Sequence, residues 1–354
     1  MILRVLCLCT VCACGLLTEA VTDSAWGLQT ETTPPVREQQ VDAKHKSDSV
    51  RLKRHKNKIK VMVGGELFTT YDFKTRKKPF LYPIHAPGQV RMTRDWPMKP
   101  NSKEESHDHP HHKSMWFSSE INGINFWTEK GGRVNVKTVE TSFADGQTNV
   151  IRATADWISK TDDKTVLTDR TTYCFGGDST SRWINCLFEV QASQGDIRFD
   201  DSKEGLFAIR THPDLRLTAW PKKGVKQVFG NAINSESDTG KDVWGKRAKW
   251  VLYYGPVDGK PVSILMYDHP TNLRHPTTWH ARDYGLVAAN PFGLHDFLGT
   301  KKGEGEYDLA AGDVLRLRYR VEFFAGIISA ETAEEKYRAF AEQPLEKLES
   351  VNQD

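Results

Sequence analysis

From Lys58 to about Gly326, apolar and polar residues alternate in short runs. A period of two is the mark of strands with one covered face. "KIKVMVGGELFTTYDF" (58–73) alternates on both sides of Gly64-Gly65, a pair suited to a two-residue hairpin turn. "SMWFSSEINGINFW" (114–127) turns at Asn122-Gly123, where a type I′ turn needs positive φ twice. The stretch 134–175 predicts three strands joined at Asp145-Gly146 and Asp162-Asp163. "RWINCLFEVQA", "LFAIRTH", "KWVLYYGPVDGKPVSILMYDH", "DYGLVAAN" and "VLRLRYRVEFFAG" add further strands. Many short strands with frequent turns predict an antiparallel sandwich or barrel. Parallel sheets would need crossover helices, and no run of adequate length supplies them. The fold class is therefore all-β, one large domain over 58–328, followed by a C-terminal helix and tail over 329–354. In that helix Ser329 is the N-cap, and Ala330, Ala333, Tyr337, Phe340 and Ala341 share one side.

The N-terminal pattern is different. Met1-Ile-Leu-Arg4 is followed by an apolar run from Val5 to Leu17 and by Thr18-Glu19-Ala20, a small-x-small cleavage site. Residues 1–20 are thus expected to be a signal peptide, too short to span a bilayer. Cys14 after Val11-Cys12-Ala13 weakly resembles a lipoprotein box and makes it the candidate lipid anchor. The mature chain is expected outside the cytoplasm, periplasmic or extracellular, free or lipid-tethered. Residues 21–57 are polar and then basic, and are expected to be a disordered linker. The basic run 44–60 is either a solvated edge or a feature that meets an anionic surface.

Composition narrows the classes. The 354 residues carry a formal charge of only +3, and much of the basic excess lies in that one run. No zinc-finger spacing or RNA-binding aromatic motif is present, so nucleic acid is not an expected partner. Of six cysteines only Cys174 and Cys186 lie outside the leader. They either bridge across a hairpin or sit as two buried thiols in separate rows. No Gly-x-Ser-x-Gly elbow, phosphate loop or His-Glu-x-x-His occurs.

Two segments concentrate reactive side chains. The first, 91–117, contains "SHDHPHHKSMWF", with four of the twelve histidines in six residues. The second is "MYDHPTNLRHPTTWHARDYGLVAANPFGLHDF" (266–297). Asp-His-Pro occurs in both, and the proline stiffens the backbone behind each imidazole. On an extended backbone His109 and His111 point to one face, and with His112 they are the candidate ligands of a divalent metal. Alternatively, His109, His111 and His280 move protons, with Glu204 or Asp268 as base or as the group that fixes a tautomer. Arg94, Arg210, Arg274 and Arg282, with His269, Asn272 and Asn290, would hold substrate oxygens, and Trp279 would offer a stacking face. The ordinary reading of any one of these residues is a satisfied loop or a core indole. Their density in two segments favours a shared site, because clustered ionisable groups are costly to desolvate.

Three blocks together carry a resemblance. "KPFLYPIHAPGQVRMTRDWP…DHPHHKSMWFSSEINGINFW", "FDDSKEGLFAIR" and "YDHPTNLRHPTTWHARDYGLVAANPFG" resemble, in order, a bacterial family of exported proteins that bears the inherited label "methane oxygenase PmoA". The likeness covers Lys78 to Gly326. It implies a β-sandwich of the galactose-mutarotase-like supersandwich type, in company with sugar catabolism and oxidoreductases. The matching positions are Arg94, Asp108, His109, His111, His112, Glu204, Arg210, Asp268, His269, Asn272, Arg274, His280, Arg282, Asn290 and Phe292. Lys113-Ser114-Met115 departs from the family's more frequent Arg-Gly-Leu. Methane oxidation itself is not expected, since the membrane enzyme of that name spans the bilayer and this chain has no spanning run past its leader. The leading expectation is a carbohydrate protein that binds a sugar or sugar acid and acts on it by acid/base chemistry, as an epimerase, lyase or hydrolase. A metal-dependent oxidoreductase and a non-enzymatic binding module are the alternatives.

Overall fold

A computed structural model describes residues 49–75, 77–102, 105–144, 147–218 and 229–343. The expected leader, the Cys14 anchor, most of the polar linker and the Asp145-Gly146 turn lie outside the described residues.

In chain order the strands are β1 (Val50–His55), β2 (Lys58–Val63), β3 (Glu66–Asp72), β4 (Phe80–Ala86), β5 (Val90–Arg91), β6 (Met115–Ser118), β7 (Glu120–Ile121) and β8 (Ile124–Asn125). Four long or mid-length strands follow: β9 (Gly132–Ala144), β10 (Gln147–Ser159), β11 (Thr165–Gly177) and β12 (Ser181–Gln191). The remainder are β13 (Ile197–Phe199), β14 (Leu206–Arg210), β15 (Asn231–Asn234), β16 (Trp250–Val257), β17 (Lys260–Asp268), β18 (Thr278–Trp279), β19 (Leu286–Asn290), β20 (Tyr307–Leu309) and β21 (Val314–Ala325). One large sheet runs β1-β2-β3-β4-β6-β14-β19-β18, with β5 on β4; the other runs β15-β16-β17-β21-β12-β11-β10-β9. A small third sheet, β20-β13-β7-β8, was not foreseen from the sequence pattern.

The two large sheets face each other through aromatic side chains. Phe117 of β6 stacks on Phe188 of β12 at 4.0 Å, and Phe68 of β3 meets Phe175 of β11 and Phe323 of β21 edge-on. This is the all-β antiparallel sandwich that alternation predicts. The turns follow their chemistry: Gly64 and Gly65 have φ of 58° and 85°, and Asn122 and Gly123 have 53° and 73°. The C-terminal helix spans Ala330–Ala341, and the Ser329 side chain accepts from the Thr332 N–H. A second, five-residue helix covers Leu294–Leu298. No helix among the described residues is long and apolar enough to cross a membrane.

Two expectations need correction or settlement. The end of the supposed linker is strand β1, paired antiparallel with β2 from Val50↔Val63 to His55↔Lys58. Val50 is buried, while Arg51, Lys53, Arg54 and His55 are exposed on what is a sheet edge. A charged edge strand reads as a linker in composition, yet charge is how sheet edges resist further pairing. Cys174 and Cys186 form no disulfide. Cys174 pairs with Asn185 and Cys186 with Tyr173, so the one-residue offset turns the two thiols to opposite faces.

Asp169 of β11 is a buried carboxyl between the sheets, and it accepts hydrogen bonds from Trp157 Nε1 and Thr171 Oγ1. Burial raises its pKa from 3.8 to about 6, against the pull of those two donors. Between these values the folded protein holds a proton that the unfolded chain has lost. Stability is therefore greatest below about pH 4 on this account and falls as pH rises to about 6. Asp169→Asn removes that loss. Denaturant unfolding should show the variant gaining about 2 kcal/mol over wild type on going from pH 4 to pH 8. A pH-independent difference would contradict it.

Candidate active site

Sheet register decides which reactive side chains meet. Ala208 of β14 pairs with Trp116 of β6 on one side and Ala288 of β19 on the other. His280 exchanges two backbone hydrogen bonds with Ala288. Trp116, Ala208, Ala288 and His280 thus form one transverse row. The next row on the same face holds Ser114, Arg210, Leu286 and Arg282, joined by Arg210 N–H to Ser114 O, the Arg210↔Leu286 pair and Arg282 N–H to Leu286 O. Side chains two residues apart share a face. This face points away from the core between the sheets, because Phe117, Phe207, Ala289 and Trp279 occupy the alternate positions. The two alanines keep the middle of the row low, with Trp116 and His280 at its ends.

The His-rich loop folds over this face. Asp108 is its anchor. Arg94 donates to Asp108 Oδ1 at 2.6 Å, Arg210 Nη2 lies 3.2 Å from Oδ2, and His109 Nδ1 lies 2.8 Å from Oδ2. Arg94 also donates to the carbonyls of Asp108, His109 and His112. Burial pushes the Asp108 carboxyl up, but the His109 hydrogen bond and the two guanidiniums outweigh it and hold the pKa well below the usual carboxylate range.

The rings then close a circuit. His109 stacks on His112 at 4.7 Å and on Tyr284 at 5.2 Å. The Arg282 guanidinium lies 5.4 Å from the Tyr284 ring and 4.8 Å from that of Trp244. Trp244 meets His280 edge-on at 4.9 Å, His280 faces Trp127 at 6.5 Å, and Trp127 meets His112 at 5.7 Å. Trp116 packs beneath, against His112 and Trp127. Its buried Nε1–H has no acceptor among the described residues.

Hydrogen bonds set the tautomers. His280 Nδ1 lies 2.8 Å from the Lys203 carbonyl, which can only accept, so Nδ1 carries the proton and Nε2 is the basic atom. The Asp108 carboxylate fixes His109 the same way. Arg210 Nη1 approaches His112 Nδ1 at 3.4 Å, so there Nδ1 accepts. Burial, with nearby cations, lowers His111 and His280 to about 3 and drives His112 well below its ordinary value. Burial raises Glu204 above its ordinary value; Lys203 and His109 pull it down and Glu120 pushes it up. Glu204 sits on the loop before β14, within electrostatic reach of His109.

Below the rings is a second ionic layer. Glu129 takes Lys113 at 2.6 Å, Lys77 at 3.2 Å and Lys78 at 3.6 Å. Lys78 is fully buried, donates to the Trp127 carbonyl and lies 5.2 Å from the Trp116 ring. Burial lowers its pKa to about 7, although Glu129 opposes the shift.

Of the residues singled out in sequence, His109, His111, His112, His280, Arg94, Arg210, Arg282 and Glu204 come together here. Arg94 and Arg210 are consumed in bracing the loop, with side chains 2% and 4% exposed, so neither is free to grip substrate. The other segment splits. Asp268 does not reach this face: its carboxylate takes His275 Nδ1, Asn272 Nδ2 and the Thr277 N–H. His269 takes Arg318 Nη1 at 3.0 Å and packs on Phe340 of the C-terminal helix. Asn272 bridges to the Arg318 backbone. Arg274 donates to the carbonyls of Pro291, Gly305 and Glu306 and staples two loops. Asn290 accepts from Phe292 N–H and donates to Ser202 O. Trp279 is in the sandwich core, its Nε1 donating to Ala248 O. The proposed metal ligands do not converge: the His109 and His112 planes are 10° apart, and in-plane lone pairs of stacked rings cannot meet at one ion about 2.0–2.1 Å from each. Among the described residues no group of three His, Cys, Asp or Glu is arranged to hold a metal. Tyr284, Trp244, Lys78 and Glu129 were missed. Tyr284 lies in the turn that Gly285 N–H closes onto Arg282 O, where strand parity does not reach, and nothing local marks the other three.

A model of the family described as "Family of unknown function (DUF6807)" matches residues 58–338. That span contains the Lys78–Gly326 resemblance, and its description carries no methane-oxygenase label. No curated protein matches the chain. Among solved structures, the chain is similar to an α-galactosidase from Lactobacillus brevis (8% identity, 78% of this chain and 40% of that one, TM-score 0.38). It is also similar to a galactose mutarotase-like protein from Lactobacillus casei (9%, 78% and 100%, TM-score 0.34) and to a putative aldose 1-epimerase from Escherichia coli K12 (10%, 78% and 99%, TM-score 0.31). The chain spans about two fifths of the length of the galactosidases it matches. At such values the chemistry of this chain has to be argued from its own residues.

The lowered imidazoles give a direct check. Side-chain 15N spectra should show His111 and His280 as neutral rings from pH 8 down to pH 5, since their protonation lies near 3. A midpoint above pH 5.5 for either would contradict the burial described.

Proposed function

The chain belongs to DUF6807, a family of unknown function, and on that premise we propose that it binds a sugar on the outer face of the β6-β14-β19 sheet and acts on it by proton transfer. The observation that carries this reading is the pair of oriented imidazoles. His109 and His280 each have Nδ1 held by an acceptor, so each offers Nε2 to a ligand proton. They stand 171 residues apart in the chain and belong to one circuit. Glu204, with its pKa raised by burial, is the complementary acid. Such a base and acid suit ring opening with epimerisation, elimination or glycosidic hydrolysis. Aromatic floor and polar rim are the ordinary composition of a sugar site. The exported location expected from the N-terminal leader fits a protein that meets sugars outside the cytoplasm.

The metal-dependent oxidoreductase that goes with the methane oxygenase PmoA label gains no support from the stacked rings. A monosaccharide and glycan binding screen tests the proposal. Wild type should bind at least one sugar, and His109→Ala and His280→Ala should each weaken it tenfold or more or abolish its turnover. No binding by wild type, or binding and turnover indifferent to both substitutions, would contradict it.

A further inference from the structure

The charges around the circuit do not cancel. Asp108 is shared by Arg94, Arg210 and His109. Glu129 is shared by Lys77, Lys78 and Lys113. Lys203 answers Asp296 at 3.5 Å. Every one of these carboxylates is already engaged by cations of its own. Arg282 is different. Its guanidinium lies against the Trp244 and Tyr284 rings, half-buried, and no carboxylate among the described residues lies within ion-pair distance of it. Neither Asp283, its neighbour in sequence, nor Glu204, whose pKa burial raises, pairs with it among the described residues. A partly desolvated guanidinium without a counter-charge is costly, and a planar fork fits a carboxylate with two parallel hydrogen bonds. His280 stands on the same face two residues back, in the adjacent row, so a group held by Arg282 lies beside the proposed proton-transfer atoms.

Resting on the sugar reading above, we infer that the ligand is an acidic sugar, a uronic or aldonic acid, whose carboxylate is taken by Arg282. Arg282 is then a specificity-determining residue, while Arg94 and Arg210 hold the loop.

Titration calorimetry tests this with D-glucuronate and D-galacturonate against D-glucose and D-galactose, extended to D-gluconate and to glucose 6-phosphate. Wild type should bind at least one carboxylate sugar tenfold or more tighter than its neutral parent. Arg282→Gln should close that gap chiefly by weakening the acid, and Arg282→Lys should retain part of it. Thermal unfolding of both variants confirms that they are folded, and the lysine variant keeps the test open should the glutamine variant misfold. Equal or tighter binding of the neutral parent, a preference that survives Arg282→Gln, or binding of the phosphate alone would each overturn the assignment while leaving a sugar site. Binding of no sugar of any class would remove the sugar reading with it.

Discussion

The carboxylate of Asp108 is the junction on which the site depends. Without it, two neighbouring guanidiniums with side chains 2% and 4% exposed would have no carboxylate within ion-pair distance among the described residues. With it, Arg94 from the segment after β5 and Arg210 at the end of β14 are tied to one loop residue. The same carboxylate sets the tautomer of its neighbour, His109. One side chain therefore places the loop on the sheet and aims its imidazole. It remains 30% exposed, so its Coulombic worth is tempered by solvent and its geometric role is the greater.

Much of the fold was legible because alternation and turn chemistry are local. Asn122-Gly123 and Gly64-Gly65 announce hairpins that the backbone dihedrals bear out. What alternation could not say was which strands lie side by side. The small sheet β20-β13-β7-β8 is built from strands of two or three residues, too short to carry a period. The β1 edge was hidden by its own charge. Cys174 and Cys186 turned on a one-residue register that only pairing with Asn185 and Tyr173 decides.

The candidate site was half legible for the same reason. The density of His and Arg marked two segments in the sequence, and strand parity decided which of their members meet on one face. Trp279 and His280 are neighbours in sequence and lie on opposite faces of the sheet, one in the core and one in the circuit. Asp268 ends a strand of the other large sheet and is spent on His275, Asn272 and Thr277. The second Asp-His-Pro is therefore a packing device beneath the C-terminal helix, and the sequence echo between the two motifs reflects no shared role. Asp108 and Asp268 both hold an imidazole Nδ1, yet only the imidazole held by the first, His109, is exposed. The layer around Glu129 shows what sequence reasoning passes over: Lys78 and Lys113, ordinary lysines far apart in sequence, meet it in a buried ionic floor, with the exposed Lys77 at its margin.

The central claim is that Asp108 couples loop to sheet through Arg210. A double-mutant cycle with Asp108→Asn and Arg210→Met, read by equilibrium unfolding, measures that coupling directly. The structure predicts a coupling energy of about 1–2 kcal/mol, with the double variant less impaired than the two single losses imply. Strict additivity of the two substitutions would contradict it.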